Sequence, residues 1–225
     1  MRIPDKKLGF QPNGPKLPSV SFFKDDKLVF IHNLNGDGRE RERLELVEMY
    51  KNLSGEDDFS VLIPYRFLYF FDADDHGINE RVSEIKREVG LDDSIDLFNG
   101  QYVHFDGNEW GGYIFHDQST QLGTLEDQLL GYFLNKNAPL RNDIEVFLRT
   151  NELLAENTRK FISSNTEERY KGAPQYYEKK SVLGVYAQLQ FSGVSNAVMI
   201  TQTDFLRAAD IVGCQQCEVI NNLFL

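Results

Sequence analysis

The sequence predicts an α/β fold in three αβα layers, with helices on both faces of a mainly parallel central sheet and a mostly helical extension behind it. Three observations predict this. Strand-like and helix-like segments alternate over residues 27–134, the pattern of successive βαβ units. Residues 67–71 (FLYFF) form an unbroken apolar run, expected of a strand covered on both faces. Immediately afterwards Ile78, Val82, Ile85 and Val89 recur at helical spacing.

The elements follow in order. Residues 1–20 hold Pro4, Pro12, Pro15 and Pro18 with Gly9 and Gly14, which precludes a regular helix and predicts an extended arm. Lys27 to Leu34 (KLVFIHNL) is a strand candidate closed by Asn35-Gly36-Asp37-Gly38. A helix is expected over 39–53, with Leu46, Tyr50 and Leu53 on one stripe, and another over about 79–89. Between them FLYFF is expected as an interior strand. Residues 101–115 offer two short strands about an Asp106-Gly107 turn. Thr124 reads as a helix N-cap with Asp127 three residues on, and Leu125, Leu129 and Phe133 as the buried stripe. Helical patterning returns over 143–164 and 180–190, separated by a polar loop at 165–178. A short strand (197–200), a helix (about 205–212) and a tail complete the chain. The organisation expected is an arm (1–20), a core (21–140) and a helical extension (141–225) packed as one unit.

Composition restricts the function classes. The chain has 225 residues, 41% hydrophobic and 26% charged, with 17 Phe and ten Tyr, the balance of an ordered globular protein. No apolar run approaches the roughly 20 residues of a membrane span, so no membrane partner is expected. Residues 1–26 lack the apolar stretch of a signal peptide, and the only cysteines are Cys214 and Cys217, so a cytoplasmic location is expected. The net charge of −11 argues against holding nucleic acid by counterion release alone. It suits a cation site or plain solubility.

In parallel sheets ligands gather beyond the carboxyl ends of strands, so residues there carry the candidate chemistry. Phe70-Phe71-Asp72-Ala73-Asp74-Asp75 runs an apolar strand into three acids. If extended geometry continues, Asp72 and Asp74 point the same way and can converge on a hard cation such as Mg²⁺. Equally, Asp74 or Asp75 could cap the following helix. Tyr113-Ile114-Phe115-His116-Asp117 is a second strand ending in an acid, followed by Glu126 and Asp127 in a helix's first turn, where the helix dipole alone favours them. His76 and His116 adjoin these acids as ligand candidates or ordinary polar contacts. Lys179 and Lys180 stand at a helix start, either as a solvated pair or, since that is an unfavourable place for cations, in a role such as meeting a phosphate. Cys214-Gln215-Gln216-Cys217 lacks the second pair that a zinc site needs. Gly36-Asp37-Gly38 lacks the remainder of a phosphate loop.

The ordered set FLYFFDADD, a helix with Arg81, GYIFHD and GTLEDQLL resembles the Toprim-like family, and within it stand-alone bacterial members. The resemblance covers residues 27–135, with Lys180 and its helix as a further match. It implies that Asp72 and Asp74 hold one or two Mg²⁺ or Mn²⁺ ions, that Glu126 helps hold a second, and that Asp117 or Asp75 assists. It also implies that Lys180, or Lys179 beside it, faces a scissile phosphate. The family's first strand ends in Glu-Gly, and residues 1–34 contain no Glu. The implied function is Mg²⁺-dependent phosphodiester cleavage on nucleic acid or a nucleotide. The alternative is an inactive Toprim-like binding or regulatory module acting through a protein partner.

Overall fold

The computed structural model describes residues 17–34, 38–53, 64–151, 161–162, 168–169, 178–193, 195–204 and 206–225. Most of the expected arm and part of the 165–178 loop lie outside these residues.

The fold is mixed α/β. Strands β1 (Val20–Lys24) and β2 (Lys27–Ile31) form an antiparallel hairpin about Asp25-Asp26, and α1 (Glu40–Leu53) follows. Next come β3 (Arg66–Asp72), α2 (Ile78–Val89), β4 (Tyr102–Phe105) and β5 (Asn108–Phe115). Among the described residues these strands make a three-stranded sheet in the order β3-β5-β4. β3 runs parallel to β5, with Arg66 opposite Glu109 and Asp72 opposite Phe115; β4 is antiparallel to β5. The β4–β5 turn has φ of 51° at Asp106 and 71° at Gly107, the paired positive φ of a type I′ hairpin turn.

The remaining elements are mostly helical: α3 (Leu125–Thr150), the short strand pair β6 (Phe161–Ile162) and β7 (Glu168–Arg169), α4 (Glu178–Gln190), α5 (Asn196–Gln202), α6 (Ala208–Ile211) and α7 (Gln215–Asn222). α3 is two helical segments meeting at Asn137 (φ −156°, ψ 73°). Pro139 explains the break, because it has no N–H to give and its ring crowds the preceding turn. The Asn137 side chain then accepts the Leu140 N–H at 3.1 Å, capping the second segment.

Among the described residues, two apolar clusters form the core. Tyr69, Ala73, Val82, Ile85, Trp110 and Ile114 bury α2 against β3 and β5. Leu130, Ile144, Val182, Leu183, Tyr186 and Met199 join α3, α4 and α5. Each fully buried aliphatic side chain contributes about 1.5–3 kcal/mol, so the second cluster fixes α4, and the lysines at its start, relative to α3. The C-terminal residues tie back to the strands. Arg66 Nη1 donates to the Leu223 carbonyl at 2.8 Å, Lys24 Nζ donates to Asn221 at 2.8 Å, and Phe224 stacks on Phe70.

Several expectations are corrected. KLVFIHNL pairs with Val20–Lys24 in a hairpin of its own, not within the central sheet. FLYFF is indeed a strand in a parallel pair, but it lies at the edge of the three-stranded sheet, and β5 is central. Its apolar run is satisfied differently on each face: Tyr69 is buried, while Phe70 is partly exposed beneath Phe224. Residues 197–200 are helical, because Ser195 caps α5 by accepting the Val198 N–H and Met199 is buried in the helical cluster. The helix expected to run to 164 reaches Thr150, and Phe161–Ile162 is extended. The tail contains α7. No helix among the described residues is long and apolar enough to cross a membrane.

Candidate functional site

The site lies where the parallel pair ends. β3 finishes at Asp72 opposite Phe115, and Ala73, fully buried, donates one more bond to the Phe115 carbonyl at 2.8 Å. The chain then turns sharply. Asp74 has φ 46° and exchanges both backbone hydrogen bonds with Gly123, at 2.7 and 2.9 Å. The loops after the two strands are thereby stitched together. Gly123 has φ +99°, and a Cβ there would lie 2.3 Å from Asp127 Oδ2, so only glycine fits this crossing.

Thr124 follows in an extended conformation and starts α3. Asp127 Oδ2 accepts the Thr124 N–H at 2.7 Å, as the Thr-x-x-Asp spacing predicts. The next free amide of the helix, Leu125 N–H, donates to Asp72 Oδ1 at 2.8 Å. Asp72 therefore places its carboxylate at the positive end of α3.

Arg81, from α2, is buried to 7% side-chain exposure and spends its guanidinium on this corner. Nε donates to the Asp72 carbonyl, Nη2 to Asp74 Oδ2 and Nη1 to Glu84 Oε2, each at 3.0 Å. Lys179, at the start of α4, forms an ion pair with Asp127 and lies 3.5 Å from Asp117 Oδ2. Asp74, Asp75, Asp117, Asp127, Lys179 and Lys180 line a cleft of about 320 Å³.

The electrostatics differ from acid to acid. Burial raises the pKa of Asp72; the Leu125 amide opposes this, Glu126 and Asp74 add to it, and Lys180 counters them. Asp117 is held at about 2 by the Ser119 hydroxyl and amide and by the Thr120 amide, with Lys179 adding to the effect.

The sequence-predicted residues thus fall into different roles. Asp72 and Glu126 are electrostatic neighbours, and both are half-buried. Asp74 does not continue the strand alternation, because β3 ends at Asp72, and its carboxylate turns to Arg81. Asp75 is exposed at the cleft. Neither Asp74 nor Asp75 caps α2, whose N-cap is Gly77. Lys179 is pinned by acids, and Lys180, which lines the cleft, lowers the Asp72 pKa through its charge. His116 contacts the Ile114 carbonyl and His76 contacts Glu80, ordinary polar contacts. Among the described residues, no three His, Cys, Asp or Glu side chains stand close enough to hold one ion together. Comparison with family models, curated proteins and solved structures gives no match in any of the three.

Arg81 is the residue whose role sequence reasoning missed. Its signal was present: an arginine among Ile78, Val82 and Ile85, on the face that packs inward, requires a carboxylate partner inside. Asp127 was read as a helix-dipole complement; it also anchors Lys179 at the cleft wall.

Proposed function

We propose that the chain is a Toprim-like, divalent-cation-dependent phosphoryl-transfer protein, most simply a phosphodiesterase acting on nucleic acid or a nucleotide. The observation that supports this best is Asp72: a half-buried carboxylate at the carboxyl end of a parallel strand, with Glu126 and Asp74 among the charges that raise its pKa and Lys180 among those that lower it. Like charges held together in this way favour a cation between them.

The donor chemistry fits one hard cation. Asp72 and Glu126 supply carboxylate oxygens, and Mg²⁺ or Mn²⁺ needs few protein ligands because it keeps several waters. Asp74 would join them only by exchanging Arg81 for the ion, so a second ion would have to displace that pair. A bound ion would neutralise phosphate charge and lower the pKa of a coordinated water. Lys180 would stabilise the charge that develops on the phosphate. Lys179, paired with Asp127 and Asp117, would hold the cleft wall in place. The three-layer Toprim arrangement and a cytoplasmic location belong to this same proposal.

A second reading is a Toprim-like binding or regulatory module that acts through a protein partner without turnover. The Arg81–Asp74 and Lys179–Asp127 pairs favour it, because they neutralise carboxylates from within the chain. Purified protein with Mg²⁺ or Mn²⁺, plasmid and single-stranded DNA separates the two. Cation-dependent cleavage that Lys180→Ala slows on the order of 10²-fold without weakening cation binding supports the enzyme. No cleavage of either DNA, with cation bound or not, leaves the module.

A further inference from the structure

The start of α7 carries a chemistry that the acidic cleft does not use. Cys214 and Cys217 are the only cysteines of the chain, and both are partly exposed free thiols. Cys214 is the N-cap of α7, and Cys217 stands three residues on, in the first turn. Cys214 Sγ accepts the Cys217 N–H at 3.1 Å. Serine, threonine, asparagine and aspartate are the usual residues at a cap, and sulfur is a weak acceptor, so capping alone is a poor reason for cysteine here.

The two sulfurs have different surroundings. Tyr132, from α3, brings its hydroxyl to 3.9 Å from Cys217 Sγ. On the other side Gly213 is exposed, with φ +90°, and a Cβ added there would meet nothing within 4 Å. Val212 before it is 76% exposed. The chain leading to Cys214 is therefore open to solvent, while Cys217 lies against Tyr132. Residues three apart on a helix have Cβ atoms about 5–6 Å apart, and a disulfide needs roughly 3.5–4.5 Å. Cys214 has the extended backbone of a cap (φ −75°, ψ 141°), so a small rotation before the first turn closes that gap. A bridge across so short a loop adds little stability, and strained or exposed bridges are the ones that reopen by exchange.

We propose that Cys214 and Cys217 form a redox-active dithiol that exchanges with low-molecular-weight disulfides, Cys214 attacking first and Cys217 resolving. Cys214 gives its proton to solvent, and its thiolate attacks one sulfur of the disulfide. A bond forms between those sulfurs, and the other half leaves with the electron pair and takes up a proton. Cys217 then loses its proton and attacks Cys214 Sγ. The intramolecular bond forms, and the second half leaves as a thiol in the same way. The protein dithiol is oxidised by two electrons, and the small disulfide is reduced to two thiols. The electrostatics agree with this order. Burial opposes ionisation of Cys214, but hydrogen bonds from the Cys217 thiol, the Tyr132 hydroxyl and the Cys217 and Gln216 amides outweigh it and lower its pKa. Burial, and then the hydrogen bond with Cys214, raise Cys217 to about 11. Once Cys214 is tied into the mixed disulfide, its charge no longer opposes ionisation of Cys217, which frees the second thiol for the second step.

The test incubates the reduced chain with oxidised glutathione at pH 8, quenches with acid, and reads thiols and adducts by mass spectrometry of the intact chain and its peptides. The wild type should lose both thiols together and carry a Cys214–Cys217 bridge without a lasting glutathione adduct. Cys217→Ser should stop with one glutathione on Cys214. Cys214→Ser keeps a good helix cap and should lose its remaining thiol about 10-fold more slowly, since burial holds Cys217 protonated. The proposal is overturned if the wild type keeps both thiols, if it stops at a mixed disulfide, or if the two serine variants react at equal rates.

Discussion

Replacing Arg81 with methionine keeps an unbranched apolar stem and removes the guanidinium that joins Asp72, Asp74 and Glu84. Breaking a buried ion pair from one side costs about 3–5 kcal/mol, because the partner is left as an unpaired charge. Here Asp74 and Glu84 keep about a quarter of their side-chain surface, so water recovers part of that loss and about 2–4 kcal/mol remains. For a chain of this size each kcal/mol moves Tm by about 2–4 °C, so a loss of about 3 kcal/mol lowers Tm by roughly 6–12 °C. Thermal melts in EDTA at pH 7 give the number. Asp74→Asn in the same background should recover part of it, with a coupling of about 0.5–3 kcal/mol in the double-mutant cycle. A Tm within about 2 °C of the wild type, or strictly additive variants, would refute the view that Arg81 holds this corner together.

Three more outcomes follow from the same geometry. Asp72 has its pKa raised by burial, so its folded value lies above its unfolded value; the group favours folding below the ordinary carboxylate pKa and loses that advantage as pH rises through its folded pKa. In EDTA, Asp72→Asn should therefore raise Tm at pH 7, by an amount that shrinks toward pH 4; a lower Tm at pH 7 would remove the crowding argument. Gly123→Ala, which forces a Cβ into Asp127 at φ +99°, should cost about 1–3 kcal/mol in chemical denaturation, and a neutral effect would mean that the loop crossing relaxes freely. At Cys214 burial opposes ionisation, but bonds from the Cys217 thiol, the Tyr132 hydroxyl and backbone amides outweigh it and lower its pKa, whereas burial raises Cys217 to about 11. Iodoacetamide at pH 8 should therefore label Cys214 first by peptide mass mapping, and faster labelling of Cys217 would reverse the assignment.

Local signals in the sequence reported local structure well. The apolar run at 67–71, the helical stripe from Ile78 to Val89, the Asp106-Gly107 turn and the Thr124/Asp127 start are each decided by neighbours in sequence, and each is present. Strand partnership was not legible. KLVFI reads the same whether its neighbour is the preceding hairpin strand or a distant parallel one, and only tertiary packing chose the hairpin. Val198, Met199 and Ile200 carry β propensity, but a Ser195 cap and the burial of Met199 made them helical. At the site, position in the chain placed the acids at strand ends, but not their directions. The positive φ at Asp74 broke the alternation that would have aimed Asp72 and Asp74 together, and Arg81, seven residues away, took the second carboxylate.

The most direct measurement of the proposed cation site is a calorimetric titration with Mn²⁺ at pH 7, run beside plasmid cleavage on the same preparations. Wild-type protein should bind one ion, Asp72→Asn and Glu126→Gln should each lose that binding and the cleavage with it, and Arg81→Met should bind more tightly because Asp74 becomes available. Binding that survives Asp72→Asn with Glu126→Gln, or cleavage that persists in EDTA, would contradict the Asp72–Glu126 site.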